Sequence, residues 1–201
     1  TQSRQGLKKT ADVVFYNTQV PAVLSGKLSR ERPYIIATDI TPIQYDQMGK
    51  WYGHHPDRDG LLSRYKHRLN LLTLRNAAYL LPWSSWTHSS LVANYGIDPG
   101  RLEVLPPGVD LEFWRPTRRE SSRLFRILFV GGDFHRKGGL LLLQMYQQLS
   151  RNFPSKHIEL ALVTRSQVPA MPGVRVYSDL TPNSPELIRL YQSSDVFVMP
   201  S

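Results

Sequence analysis

Short runs of β-branched and aliphatic residues alternate along the chain with segments whose apolar positions recur every three or four residues. The runs at 12–16, 34–38, 78–81, 101–105, 125–130, 157–163, 174–177 and 195–199 read as strands. The segments 61–75, 87–95, 139–152 and 185–192 read as amphipathic helices lying between them. Strand alternating with helix predicts an α/β protein with largely parallel sheets. The stretch 113–122, FWRPTRRESS, is polar, basic and broken by proline. It predicts a boundary near Pro116, with one domain over 1–117 and a second over 118–201.

Three local patterns need interpretation. Leu140 to Leu143 form a leucine run, but Leu142, Met145, Tyr146, Leu149 and Phe153 fall on one helical face. Core packing is the expectation there, not a membrane anchor. His54 and His55 are adjacent, so their side chains diverge, and no third ligand stands at a matching spacing for a metal. Arg58, Arg64, Lys66, Arg68 and Arg75 make the 61–75 region basic as well as amphipathic. A solvated face is the plain reading of that helix, and contact with an anionic membrane surface is the alternative.

Composition narrows the classes. The 201 residues are 41% hydrophobic and 20% charged, which excludes a disordered tail. No apolar run approaches the ~20 residues of a membrane-spanning helix. There is no cysteine, hence no disulfide and no thiol chemistry, which fits a cytoplasmic setting. Lys and Arg number 25 against 16 Asp and Glu, a net +9 that suits a phosphate-bearing or otherwise anionic partner. Of these, 14 cations and 10 acids precede Thr117, so the excess is spread along the chain. A nucleic-acid protein would show basic residues interleaved with aromatics on one sheet face, and no such stripe is present. The chain opens on Thr1 and stops at Ser201 directly after an apolar run, so a longer parent protein is expected.

The candidate chemistry centres on residues 126–139, RILFVGGDFHRKGG. An apolar strand runs into Gly131 and Gly132, a short polar loop, Arg136 and Lys137, and then two more glycines and a helix. Glycines let backbone N–H groups approach an anion, and the helix start adds positive potential. In open α/β sheets ligands bind beyond the carboxyl ends of strands, where this loop falls. The pattern specifies a phosphate or diphosphate site, although the same residues also fit a plain turn with exposed cations. Neither the Walker A loop nor the dinucleotide fingerprint matches the glycine spacing.

Four segments in order carry a resemblance: Pro106-Pro107-Gly108-Val109-Asp110 with Trp114 and Pro116; Phe129-Val130-Gly131 to Lys137-Gly138; the strand 160–163; and 194–201, SDVFVMPS. Together with 81–86 (LPWSSW) and 95–98 (YGID), they resemble family 4 (group 1) retaining glycosyltransferases of the GT-B fold. The resemblance implies two Rossmann-like lobes, both incomplete here: the latter part of an acceptor lobe over 1–117 and the start of a donor lobe over 118–201.

It further implies sugar transfer from a nucleotide-diphosphate sugar, with retention at the anomeric carbon, to a glycan or lipid-linked acceptor. No cofactor and no obligatory metal are implied. Gly131 matches the glycine that approaches the donor diphosphate, and Lys137 the lysine that neutralises it. Where the family often has arginine this chain has Gly132, so Arg136 is the candidate second cation. At the family's His-Asp, Thr38 replaces the histidine, and Asp39 remains as the candidate acid on the acceptor side. The family's paired glutamates, spaced Glu-x7-Glu, would start beyond Ser201, so the piece alone is expected to be inactive. A non-catalytic nucleotide-sugar-binding homologue and a basic anionic-surface protein are the competing readings. A cytoplasmic enzyme, peripheral at the inner membrane face, is the expected setting.

Overall fold

A computed structural model of the chain describes residues 11–26, 31–56, 60–117 and 123–200. Two compact units divide between Gly108 and Val109. Trp114 lies on the second unit's side: its indole nitrogen donates to Asn183 Oδ1 at 3.0 Å, and its ring meets Tyr191 edge-on. Of the expected linker 113–122, residues 118–122 fall outside the described residues.

The first unit is a three-stranded parallel sheet, ordered β1 (Val14–Tyr16), β2 (Tyr34–Thr38), β3 (Tyr79–Pro82). Helices α1 (Gln19–Ser25), α2 (Pro42–Met48), α3 (Leu61–Asn76) and α4 (Ser85–Tyr95) connect and flank these strands. Two short 3₁₀ turns, Gly49–Tyr52 and Pro99–Arg101, complete the unit. β2 is hydrophobic almost throughout and mostly buried, as a central parallel strand must be. Ile36, Leu80, Leu74, Leu91 and Tyr95 close the core around it. The expected strand at 101–105 is reduced to one parallel bridge, Leu80 with Leu102. Pro99 opens a 3₁₀ turn capped by Asp98 on one side of it, and Pro106 and Pro107 lack the N–H groups a ladder needs on the other. The Glu103 and Leu105 amides still reach Leu80 O and Pro82 O, so the segment runs beside β3.

The second unit is a four-stranded parallel sheet ordered β6 (Val174–Tyr177), β5 (His157–Val163), β4 (Leu124–Val130), β7 (Val196–Phe197). Helices α5 (Gly139–Asn152) and α6 (Pro185–Gln192) connect the strands. One core holds Phe129, Phe134, Leu142, Leu143, Tyr146, Leu160 and Leu162, and Leu128, Ala161, Leu187 and Leu190 form another. Leucines of α5 do pack into the core, but the buried face is rotated from the expected one. Leu142, Leu143 and Tyr146 are buried, while Met145 and Phe153 are about half exposed. The pivot is Tyr146, whose hydroxyl donates to Ile158 O at 3.1 Å and turns that side of the helix onto β5.

Candidate functional site

The glycine-rich loop leaves β4 at its carboxyl end, as the strand pattern required. Gly131 N donates to Val163 O at 2.9 Å, so the loop starts in register with β5. A Cβ at Gly131 would lie 2.9 Å from the Phe129 ring and 3.4 Å from Lys137 Cγ. Only glycine fits there, and the same closeness puts the Lys137 stem against the start of the loop. At Gly132 an added Cβ would meet open space, so the backbone there is accessible from solvent.

The rest of the loop is held from three sides. Phe134 is fully buried and packs edge-on against Phe129, with ring centroids 5.7 Å apart. Its ring occupies the space a side chain at Gly139 would need, and Gly139 N donates to Phe134 O at 2.8 Å. Ser166 Oγ accepts from Phe134 N and donates to Gly132 O, both at 3.3 Å. Gly138 takes φ +75°, and a side chain there would strike Pro200, which stands after β7. Val198 N donates to Leu128 O at 2.8 Å, so the segment ending in Pro200 reaches the loop by extending the sheet.

Asp133 organises the cations. Its carboxylate accepts from Arg136 N at 3.1 Å and pairs with Arg136 Nε at 3.3 Å, while its carbonyl accepts from Lys137 N at 3.1 Å. Among the described residues no carboxylate pairs with Lys137. Lys137, half-buried at the mouth of α5, is therefore a cation left available to a ligand. The structure thus brings Gly131, Gly132, Arg136 and Lys137 into one loop, with Arg136 already engaged by a neighbour. Phe134 and Ser166 were not legible as parts of this site. A polar Thr164-Arg165-Ser166 at the carboxyl end of β5 was the available signal for the second.

Asp39 sits in the first unit at the carboxyl end of β2, exposed, with its carbonyl accepting from Thr87 Oγ1. Beneath it lies a buried polar cluster. Thr38 is hydrogen-bonded to Gln19 Oε1 at 3.0 Å and to Ile40 O at 2.8 Å. Thr41 and Gln44 form a capping box on α2, and Thr41 Oγ1 meets Ser90 Oγ at 2.8 Å. These bonds fix the strand end that presents Asp39.

A cleft of about 540 Å³ opens between α2 and α3, lined by Asp46, His54, Arg64, Lys66, His67 and Asn70 among others. His54 Nε2 lies 2.7 Å from Asp46 Oδ1, and its ring stacks beside Tyr45. His54 is therefore a carboxylate partner. Tyr95, behind the cleft, accepts from Ile43 N at 3.2 Å. Burial pushes its hydroxyl above the ordinary tyrosine value, against the opposing pull of the Ile43 amide and the Thr41 hydroxyl. A raised pKa means the fold favours the neutral phenol. That stability is present below the ordinary tyrosine range near pH ~10 and is lost as pH rises through the raised value. Tyr95→Phe is expected to flatten the alkaline limb of a stability-versus-pH curve, measured by urea unfolding.

Two units of parallel sheet flanked by helices, one with a glycine loop at a strand's carboxyl end, share the fold class of solved GT-B structures. The profile of Glycosyltransferase Family 4 matches residues 2–113, more than half the chain. The chain belongs to Glycosyltransferase Family 4. A D-inositol 3-phosphate glycosyltransferase of Pseudarthrobacter chlorophenolicus is 30% identical over 144 residues, covering 62% of this chain and 34% of its own length. The protein of that name from Paenarthrobacter aurescens is 29% identical over 135 residues, covering 55% and 32%. The chain thus spans about a third of the length of the curated relatives it matches. Among solved structures, a glycosyltransferase from Rickettsia africae superposes with TM-score 0.61 at 17% identity, over 98% of this chain and 54% of that one. WaaG, a glycosyltransferase involved in lipopolysaccharide biosynthesis, gives 0.61 at 16%, over 98% and 56%. Anabaena HepE, solved with UDP and glucose, gives 0.54 at 14%, over 98% and 50%.

Proposed function

We propose that the intact protein transfers a sugar from a nucleotide-diphosphate sugar to a glycan or lipid-linked acceptor, with retention at the anomeric carbon. The observation that carries this reading is Lys137, which pairs with no carboxylate among the described residues and packs against Gly131 at the start of the loop. As the sugar–oxygen bond breaks, charge accumulates on the departing nucleoside diphosphate. A fixed cation and backbone N–H groups stabilise that charge more than they stabilise the bound ground state. Arg136 contributes by exchanging its Asp133 pairing for the diphosphate. Asp39, at the β2 end, orients the acceptor hydroxyl. HepE, with its bound UDP and glucose, supports a donor of this chemical class.

The cleft between α2 and α3 takes the acceptor, with Arg64, Lys66 and His67 favouring an anionic group on it. The acceptor named for the curated relatives carries a phosphate, which supports this choice. The work is done in the cytoplasm, at the inner membrane face. A panel of nucleotide sugars assayed with the intact protein, with the product anomer read by NMR, tests the reading. Inverted product would remove the retaining mechanism, and donor binding without any turnover would make the protein a non-catalytic binder. Because Lys137 and Arg136 supply the positive charge, turnover is expected to persist in excess EDTA. Its abolition, with recovery on adding a divalent cation, would show metal-assisted departure of the diphosphate.

A further inference from the structure

A row of rings leads out of the α2–α3 cleft on its α2 side. The Tyr45 ring, on α2, lies 4.7 Å from the His54 imidazole at 34° and 5.9 Å from the Tyr52 ring at 47°. His54 itself lines the cleft. The backbone builds this row: His54 N donates to Gly49 O at 2.9 Å, and Gly53 turns the chain back at φ +65°. A Cβ at Gly49 would lie 2.6 Å from His54 O and 2.9 Å from its Cδ2, so glycine is what lets the imidazole return against α2. Asp46 then holds that ring, Oδ1 standing 2.7 Å from His54 Nε2. Three rings are thus fixed in order while Tyr45 and Tyr52 stay 38% and 46% exposed. Ordered aromatic surface left in solvent beside a cleft is where a ligand completes the packing.

We infer that Tyr45, Tyr52 and His54 form a saccharide subsite, in which a sugar ring of the acceptor stacks on the tyrosines and places a hydroxyl on Asp46. This deepens the acceptor role proposed for the cleft and rests on it. The C–H face of a pyranose is drawn to the negative face of an aromatic ring. Its hydroxyls need partners at the ring's edge, and the Asp46 carboxylate, the Ser63 hydroxyl and the Asn70 amide supply them. The two walls differ in charge. α3 brings Arg64, Lys66 and His67, whereas α2 brings Asp46 and contains no Lys or Arg. An anionic group is therefore drawn to the α3 wall and turned away from the α2 wall, which takes the neutral ring. An alkyl chain on the tyrosines would instead strip water from the Asp46 carboxylate and return it no hydrogen bond.

The test is saturation-transfer NMR on the intact protein with the 6-phosphates of glucose, mannose and galactose, and with dodecyl phosphate as the aliphatic probe. At least one hexose phosphate is expected to bind, with saturation strongest on its ring C–H protons. Tyr45→Leu with Tyr52→Leu keeps apolar bulk but removes the rings, and should weaken that binding by about tenfold. Tyr45→Phe with Tyr52→Phe should keep it, because the ring face and not the hydroxyl carries the contact. Inorganic phosphate should bind the leucine pair as it binds the wild type, which separates loss of the stack from loss of fold or of the cationic wall. With an acceptor that is turned over, the leucine pair should raise the acceptor KM about tenfold and leave kcat within about twofold. No binding of any hexose phosphate, or equal binding by the leucine pair, would overturn the subsite. Tighter binding of dodecyl phosphate, kept by the leucine pair, would overturn it in favour of an aliphatic occupant. Transfer with an unchanged acceptor KM in the leucine pair would remove the subsite and leave the transferase reading. Ring-dependent sugar binding by a protein that turns over no nucleotide sugar would do the reverse.

Discussion

Lys137→Ala in the intact protein is expected to lower kcat/KM by about 100-fold or more, the scale set by removing one preorganised group from a developing oxyanion. The Lys137 stem is held 3.4 Å from the position of a Gly131 Cβ, and its backbone is tied to Asp133 O. Its ammonium is thereby placed before the donor arrives. Lys137→Arg should recover part of the loss, because the charge is kept while the head group changes shape. Arg136→Ala is expected to cost less than Lys137→Ala, since the Arg136 guanidinium must first leave Asp133. Asp133→Asn would then discriminate two roles. It frees Arg136 and tightens diphosphate binding if electrostatics dominate, and it loosens the loop and weakens binding if the Asp133 turn is the main contribution. Calorimetry with the free nucleoside diphosphate, alongside kinetics with both substrates varied, reads each effect. A Lys137→Ala protein with undiminished affinity and turnover would reduce the loop to a turn.

Where local sequence decides local structure, the elements were legible. α5 and α6 occupy the bounds their patterns predict, because Gly138 and Ser184 mark their starts. β4 and β5 were legible as apolar runs too short for buried helices and bounded by glycine or polar turns. α1 and α2 were not, since seven residues hold too few turns to show a period. The Thr41-x-x-Gln44 capping box and Pro42 did carry a start signal for α2.

The site divides along the same line. Gly131, Gly132, Arg136 and Lys137 are close in the chain, so spacing alone assembles them. The contacts that hold them come from elsewhere. Ser166 arrives from the end of β5, Pro200 from the end of β7, and Phe129 from within the sheet. Side-chain rotation also escaped the pattern in α5, where Met145 and Phe153 suit the apolar face but Leu143 is the residue that packs. A period of 3.6 defines a stripe some 100° wide, and which edge of it faces inward depends on the partner surface.

The loop's dependence on a distant core contact makes Phe134→Ala the substitution with the largest expected effect on stability. Phe134 is fully buried, touches Phe129 edge-on, and fills the space left by the missing Gly139 side chain. Truncating it removes one whole aromatic ring from the Phe129–Leu142–Tyr146 core, for which about 3–5 kcal/mol is the usual loss. The neighbouring backbone cannot easily collapse into the void, because Gly139 N is bonded to Phe134 O and Ser166 holds Phe134 N. Amide hydrogen exchange should therefore speed up in β4, in the loop and in the first turns of α5, while β2 and β3 of the first unit stay protected. Diphosphate affinity should fall as well, although Phe134 reaches the ligand only through the backbone it anchors. Phe134→Leu keeps much of the volume and should recover most of the stability and the affinity together. If Phe134→Ala lost stability but bound the diphosphate unchanged, the loop would hold its shape from Asp133, Ser166 and Pro200 alone.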